Sequence, residues 1–318
     1  MELIKLENVV KSYRNSLKII DGLDFTINSG EFITLIGKSG CGKTTMLKLI
    51  NGLIKPDSGK IFIKGKEINN WNIIELRRSI GYVIQQIGLF PHMNIEDNIS
   101  FVLNIKKVPK EEMRNRAKEL IDLVGISEEY LKKYPRELSG GQKQRIGVAR
   151  ALASNPDIIL MDEPFGAVDE ITRKTLQDEI VKLHKSLKKT IVFVTHDIDE
   201  AFKLGSRIVL FDNGSIVQQG TKEDMLFNPK NLFVENFFGI KNFTAYLNST
   251  SVSDVMYPPE LAKKSIHMVK ENYSLIEAIK ILFDFRVDSI GVENKTGKIV
   301  GEFSLKHIRD SIEDKNLY

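Results

Sequence analysis

The sequence predicts an α/β fold interrupted by a helical insertion, and three observations lead there. Short apolar, β-branched runs alternate with helical patterns over the first 240 residues. A Gly-rich loop at 37–45 joins one such run to a helix. Between Ile95 and Ala153 the pattern turns almost wholly helical.

Taken in chain order, "EFITLIG" reads as a strand leading into the loop, and "KTTMLKLING" as the helix leaving it. "KEEMRNRAKELIDLVGI" is the clearest amphipathic stretch of the insertion. "PDIILMDEP" and "TIVFVTHD" are bounded, Val/Ile-rich and fit buried parallel strands. "RIVLFDNGSIVQQG" reads as a hairpin that turns at Asn213-Gly214. The polar, Ser/Thr/Asn-rich segment 241–254 marks a linker. Beyond it, "SIHMV" reads as a strand, and "SLIEAIKILFDF" as a helix with Leu275, Ala278, Ile279 and Leu282 on one face. "DSIGVEN" and "KIVGEFS" then form a hairpin about "KTG", and "LKHIRDSI" a closing helix. The expected division is a domain at 1–240, a linker at 241–251 and a small α+β unit at 252–318.

At 318 residues the chain is long enough for about two domains. With 42% hydrophobic and 28% charged residues it has an ordinary globular composition. A net charge of +4 is too mild to argue for a nucleic-acid partner. The single Cys41 excludes an internal disulfide and fits a reducing compartment. No apolar run approaches the ~18 residues of a membrane span, and "MELIKLENVVKSY" lacks the apolar stretch of a signal peptide. The expectation is a cytosolic protein whose membrane role comes through a partner.

"GKSGCGKTT" matches G-x-x-x-x-G-K-[ST] in full, after a strand and before a helix. Such a loop turns its backbone N–H groups inward around the α- and β-phosphates of a nucleotide. Gly37, Ser39, Gly40, Cys41, Gly42 and Thr45 line that cradle, with Cys41 a small space-filler. Lys43 is expected to reach the β- and γ-phosphates, and the Thr44 hydroxyl to ligate Mg²⁺.

Asp162 and Glu163 end an apolar strand, where carboxylates are costly unless a cation or a polar task occupies them. Their side chains are expected on opposite sides of the strand, Asp162 toward Mg²⁺ and Glu163 as general base for water in line with the γ-phosphate. His196 follows a strand expected to end at the same sheet edge, where open parallel sheets place ligands. It suits a γ-phosphate contact, whereas His92, His184, His267 and His307 have no such context. "LSGGQKQR" supplies a second helix start suited to an anion: Ser139, Gly140, Gly141 and Gln142 offer free N–H groups, a small hydroxyl and a positive dipole end.

In this order the motifs resemble the ATP-binding subunit of an ABC transporter, over residues 1 to about 240. The resemblance implies roles that spacing does not. Tyr13 would stack on adenine, and Gln85 would ligate Mg²⁺ and sense the membrane subunit, with Gln86 as the competing register. Asp169, in "GAVD", would lie in the loop that crosses between subunits; Gly166 and Val168 depart from the usual Ser-Ala-Leu-Asp. Ser139 to Gln142 would bind the γ-phosphate held in the opposite subunit, so that two ATPs are sandwiched in a head-to-tail homodimer. Permease subunits, an extracellular substrate-binding protein and a place on the cytoplasmic face of the membrane are implied as well.

"MDEPFGAVDEITRKTLQDEI" and "FVTHDIDEAFKLGSRIVLFDNGSIVQQG" resemble the importer subfamily for quaternary-amine osmoprotectants, namely glycine betaine, carnitine and choline. The C-terminal unit is similar to a cystathionine-β-synthase-type (CBS) repeat, which that subfamily often carries. Two departures stand out. Such repeats come in tandem pairs, and roughly one is present; Ser304 is followed three positions on by His307 where a ribose-binding repeat often has Asp. A dimerisation module, with Ser304 capping a helix, competes with nucleotide or ionic-strength sensing. Competing functions are an ATPase for another importer, such as one for amino acids, and a soluble ABC ATPase of DNA repair or translation. Against the last stand the absence of a long coiled coil and the single set of motifs.

Overall fold

A computed structural model describes residues 1–13, 17–84, 88–166, 168–239, 243–258, 267–308 and 310. It divides into two compact units, 1–196 with 209–217, and 197–208 with 218–318. The strands are β1 (Glu2–Tyr13), β2 (Leu17–Asn28), β3 (Phe32–Ile36), β4 (Ser58–Ile63), β5 (Lys66–Glu67) and β6 (Ile80–Val83). After the helical insertion come β7 (Ile158–Asp162), β8 (Thr190–Val194), β9 (Arg207–Asp212) and β10 (Ser215–Gly220), then β11 (Met268–Lys270), β12 (Ser289–Glu293) and β13 (Ile299–Ser304). The helices are α1 (Lys43–Ile50), α2 (Ile73–Ser79), α3 (Ile95–Ile105), α4 (Lys110–Leu123), α5 (Gly140–Leu152) and α6 (Glu170–Leu187). They continue with α7 (Ile198–Leu204), α8 (Lys222–Phe227), α9 (Leu232–Phe238), α10 (Phe243–Ser249) and α11 (Leu275–Phe285).

The central sheet runs β10-β9-β3-β8-β7-β6, with β3, β8, β7 and β6 parallel to one another. Every residue of β3, β7 and β8 is buried. Strands covered on both faces need unbroken apolar runs rather than alternation, which is why these read so clearly. Because they are parallel, the carboxyl ends of β3, β7 and β8 share one edge, and that edge builds the site. A second, antiparallel sheet runs β2-β1-β4-β5.

The insertion packs α3, α4 and α5 against one another. Two arginines cross-tie it through helix-end carbonyls that have no intrahelical partner. Arg145 donates to the carbonyls of Val124 (3.3 Å) and Gly125 (2.8 Å), and Arg116 to that of Leu152 (3.1 Å).

The hairpin expected at 207–220 is present, with Asn213 (φ 44°) and Gly214 (φ 79°) both left-handed. In the second unit β11 pairs parallel with β12, and β12 antiparallel with β13. Ser274 caps α11 through a reciprocal bond pair with Glu277, and Leu275, Ala278 and Leu282 are buried as the pattern predicts. Ile279 is half-buried, and the closing helix is described only at 305–308 and 310. The stretch read as a linker behaves otherwise. Phe243–Ser249 is a helix with Ala245, Tyr246 and Leu247 buried, packed on α7 and α11. Its Ser, Thr and Asn content suggested a loop, but tertiary burial of three residues outweighs that local preference.

Candidate active site

The loop after β3 wraps the start of α1. Its shape depends on glycine at both ends. At Gly37 a Cβ would run into the Phe211 carbonyl, and at Gly42 (φ 117°) it would lie 2.7 Å from the Ile19 carbonyl. Gly42 is the N-cap of α1 and no side chain caps that helix, so the first N–H groups are left for a ligand.

Lys43 is 5% exposed. Its Nζ donates to the carbonyls of Gly37 (2.7 Å) and Lys38 (2.9 Å) and lies 3.6 Å from Cys41 Sγ. The ammonium is thus held over the loop by groups that an anion can replace. Cys41 is buried as a filler should be, and its carbonyl accepts the Gly214 N–H at 3.0 Å. The hairpin turn at Asn213-Gly214 therefore buttresses the phosphate loop, a contact that the sequence shows only as a turn. Thr45 is buried, whereas Ser39 and Gly40 are exposed.

From the end of β7, Asp162 accepts a hydrogen bond from Thr44 Oγ1 at 3.0 Å. Burial pushes its carboxyl above the ordinary carboxylate range; the Thr44 bond works against this, and the Glu163 charge adds to it. A hydroxyl and a carboxylate side by side form a hard-oxygen pair of the kind Mg²⁺ takes together with phosphate oxygens and water. Among the described residues no three His, Cys, Asp or Glu gather into a cation site, so any cation here has to complete its shell elsewhere.

Glu163 lies beyond the strand rather than in it. Its φ of 45° is left-handed, a conformation that costs a non-glycine residue about 1–2 kcal/mol. The Glu163 N–H bonds the Val194 carbonyl at 3.0 Å and pins the turn to the end of β8. Glu163 therefore follows Asp162 through a strained turn outside the strand, where strand alternation does not apply. His196 Nδ1 lies 3.5 Å from Glu163 Oε2, so the structure brings these two together; His196 is 71% exposed at its side chain and Glu163 25%.

Ser139 is the N-cap of α5. It accepts from the Gln142 N–H (3.2 Å), while Gln142 Oε1 accepts from the Ser139 N–H (2.9 Å). Ser139 and Gly140 are exposed, and Gly141 and Gln142 half-exposed. Asp169 caps α6 by accepting from the Thr172 N–H at 3.0 Å. That amide holds its carboxyl below the usual range, and the Arg145 charge adds to the effect. Tyr13 ends β1 and is 46% exposed. Gln85 and Gln86 lie outside the described residues.

Sequence reasoning missed two groups in the helical insertion. Asn98 on α3 is fully buried and bonds both the N–H and the carbonyl of Phe90. Arg150 on α5 donates to the Gly88 carbonyl. Both act on main-chain groups, which leave no residue-type signal at the receiving end.

Residues 20–166 match the ABC transporter family. The chain is 50% identical to the glycine betaine/carnitine/choline transport ATP-binding protein OpuCA of Bacillus subtilis (strain 168), over 96% of this chain and 79% of that protein. It is 49% identical to the choline transport ATP-binding protein OpuBA of the same organism, over 99% and 82%. Among solved structures, the dimeric post-hydrolysis state of the ATP-binding cassette MJ0796, bound to ADP and Pi, superposes with a TM-score of 0.65 at 37% identity. That likeness covers 69% of this chain and 98% of the other. With the phosphate loop, the acidic strand end and the capped "LSGGQ" helix in place, the chain belongs to the ABC transporter family as one of its ATP-binding subunits.

Proposed function

We propose that this chain hydrolyses ATP, as a head-to-tail homodimer docked on membrane permease subunits, to drive uptake of glycine betaine, carnitine or choline. One observation carries the hydrolytic half. A lysine-and-glycine phosphate cradle, a Thr44–Asp162 oxygen pair and a Glu163–His196 pair converge on a single edge of a parallel sheet. The substrate half is supported by the names of OpuCA and OpuBA. No described helix is long and apolar enough to cross a membrane, which suits a subunit that works through a permease. The β11–α11–β12–β13 order supports reading the C-terminal unit as a CBS-type repeat for pairing or sensing.

ATP with its Mg²⁺ supplies the phosphoryl group that passes to water; everything else falls to the chain. Lys43 exchanges its two carbonyl partners for phosphate oxygens, and Thr44, Asp162 and Gln85 hold the cation. The strained turn aims the Glu163 carboxylate at the attacking water, whose proton it takes. His196 keeps that carboxylate oriented and contacts the γ-phosphate. Tyr13 covers the base, Asp169 crosses to the partner, and Ser139 to Gln142 of the second copy close the site.

The test is uptake of labelled betaine, carnitine and choline into vesicles that hold this chain with its permease and binding protein. ATP-dependent uptake of at least one is expected. Uptake of an amino acid instead would reassign the substrate, and no hydrolysis by the full complex would overturn the enzymatic half.

A further inference from the structure

Strand β1 loses its neighbour on one side before it reaches Tyr13. On the β2 side the pairing runs to the end, with Ser12 opposite Lys18 and Tyr13 opposite Leu17. On the β4 side the last pair is Val10 with Ser58, where β4 begins. The register with β2 is irregular between Val9 and Lys11 and again between Lys11 and Ser12. Irregularities of this kind twist a strand and re-aim its side chains, so regular pairing alone does not fix where the end of β1 points.

Asp57, one residue before β4, supplies the missing rungs. Its N–H donates to the Val10 carbonyl at 2.8 Å. Its Oδ2 accepts from the Ser12 N–H at 2.7 Å, and its Oδ1 from Lys11 Nζ at 2.6 Å. One carboxylate thus gives Ser12 the acceptor that a strand carbonyl would have given, and holds Lys11 as well. The three residues gripped in this way, Val10, Lys11 and Ser12, are those that lead into Tyr13.

Asp57 is itself fixed in place. Gly59 (φ 84°) brings the start of β4 so close to β1 that a Cβ there would lie 2.3 Å from the Asn8 carbonyl. Upstream, the chain leaves α1 at Asn51 and is tied back to it, with the N–H groups of Leu53 (2.9 Å) and Ile54 (3.4 Å) on the Lys48 carbonyl. The segment that carries Asp57 therefore starts on the helix whose other end opens at the phosphate loop. The pair with Lys11 is no loose surface contact, since the Lys11 side chain is 17% exposed against 45% for Asp57. The hydrogen bond from Lys11, with that from the Ser12 N–H adding to it, holds the Asp57 carboxyl below the ordinary carboxylate range. The acceptor is thus an anion, the stronger kind of hydrogen-bond partner.

We propose that Asp57 is a positioning residue for the nucleobase: by clasping Lys11 and Ser12 it orients Tyr13 as the platform on which adenine stacks. Phosphate cradle and base platform are then held by the two ends of one run of chain, α1 and the turn that follows it. A platform held in advance costs less to order when a nucleotide arrives. The inference rests on the reading of Tyr13 given above. Aromatic stacking accepts the face of any base, so Asp57 should separate nucleotides from bare phosphates without selecting among bases.

The test uses the full chain with Mg²⁺ and compares ADP with pyrophosphate by titration calorimetry, two ligands that share the diphosphate and differ in the nucleoside. Tyr13→Ala should weaken ADP about fivefold or more, the lower end of base–aromatic stacking, and leave pyrophosphate within about twofold. Asp57→Ala should weaken ADP about threefold, a part of what the platform is worth, and likewise spare pyrophosphate. Asp57→Asn, which keeps an acceptor for the Ser12 N–H, should restore some of that loss. In the Tyr13→Ala chain, adding Asp57→Ala should cost nothing further, because its effect passes through the ring. Equal weakening of ADP and pyrophosphate by Asp57→Ala would overturn the proposal. So would native affinity for ADP in that variant, or a loss that persists when the Tyr13 ring is gone. Unchanged ADP binding in Tyr13→Ala would instead remove the stacking reading itself, and the proposal with it.

Discussion

Two helices of this chain start in a form suited to an anion, yet they stand in opposite relation to the rest of the molecule. At α1 the N-terminus has no side-chain cap, its lysine is buried over the loop's own carbonyls, and distant segments finish the site. Asp162 and Glu163 come from the end of β7, His196 from beyond β8, and a hairpin turn props the loop from behind. At α5 the helix caps itself through Ser139 and Gln142 and faces solvent. The first start is completed by distant segments of its own chain, whereas the second is closed by its own two capping residues. The same local physics therefore yields an uncapped start backed by distant residues in one place and a self-capped, exposed start in the other.

Six substitutions, in four tests, can break or sharpen that contrast. The largest effect is expected at Glu163, where Glu163→Gln should lower kcat by about 10²–10⁴ while ATP still binds. Phosphate release measures it, and turnover near the native rate would leave the α1 site without its base. Next, Lys43→Ala should weaken ATP binding by the isolated chain about tenfold to a hundredfold, the worth of charged hydrogen bonds. Ser139→Arg should leave that binding unchanged and stop hydrolysis. Equal loss of binding in both, by titration calorimetry, would merge the two sites into one.

Smaller effects concern the two backbones. Gly42→Ala, at φ 117° and crowded by Ile19, should destabilise the fold by about 1–3 kcal/mol. Gly140→Ala, at a helical position of α5, should stabilise it by about 0.4–1 kcal/mol. Thermal melts decide, and a shared sign would mean that the second start is as strained as the first. The smallest effect is a pH dependence at Asp162. Burial raises its pKa in the folded state, so its contribution to stability is present below the unfolded value and lost as pH rises through the folded one. In nucleotide-free protein with chelator, Asp162→Asn should therefore melt a few degrees higher at pH 7, a gain that disappears below about pH 4. An equal gain at both pH values would assign the effect to packing.

The phosphate loop was legible because its chemistry is consecutive in the chain: one strand, one Gly-rich turn, one helix. The edge shared by Asp162, Glu163 and His196 was legible because parallel strands announce themselves as unbroken apolar runs. The left-handed turn at Glu163 was not, since no glycine or asparagine marks it. Nor was the hold of Arg150 and Asn98 on Gly88 and Phe90, because a main-chain carbonyl looks the same in every residue. The helix at 243–249 was hidden for a related reason. Its stability comes from burial against α7 and α11, and its own composition argues for a loop.

The turn at Glu163 also limits how this chain can drift. Its backbone admits glycine, asparagine or aspartate most readily, and none of these puts a carboxylate at the reach of glutamate. Replacements that ease the fold at this position therefore forfeit the proposed base, and those that keep an acid of the right length keep the strain. Selection for stability and selection for turnover pull in opposite directions at this one residue. A lineage that abandoned hydrolysis, keeping only nucleotide-dependent pairing, would be expected to relax here first.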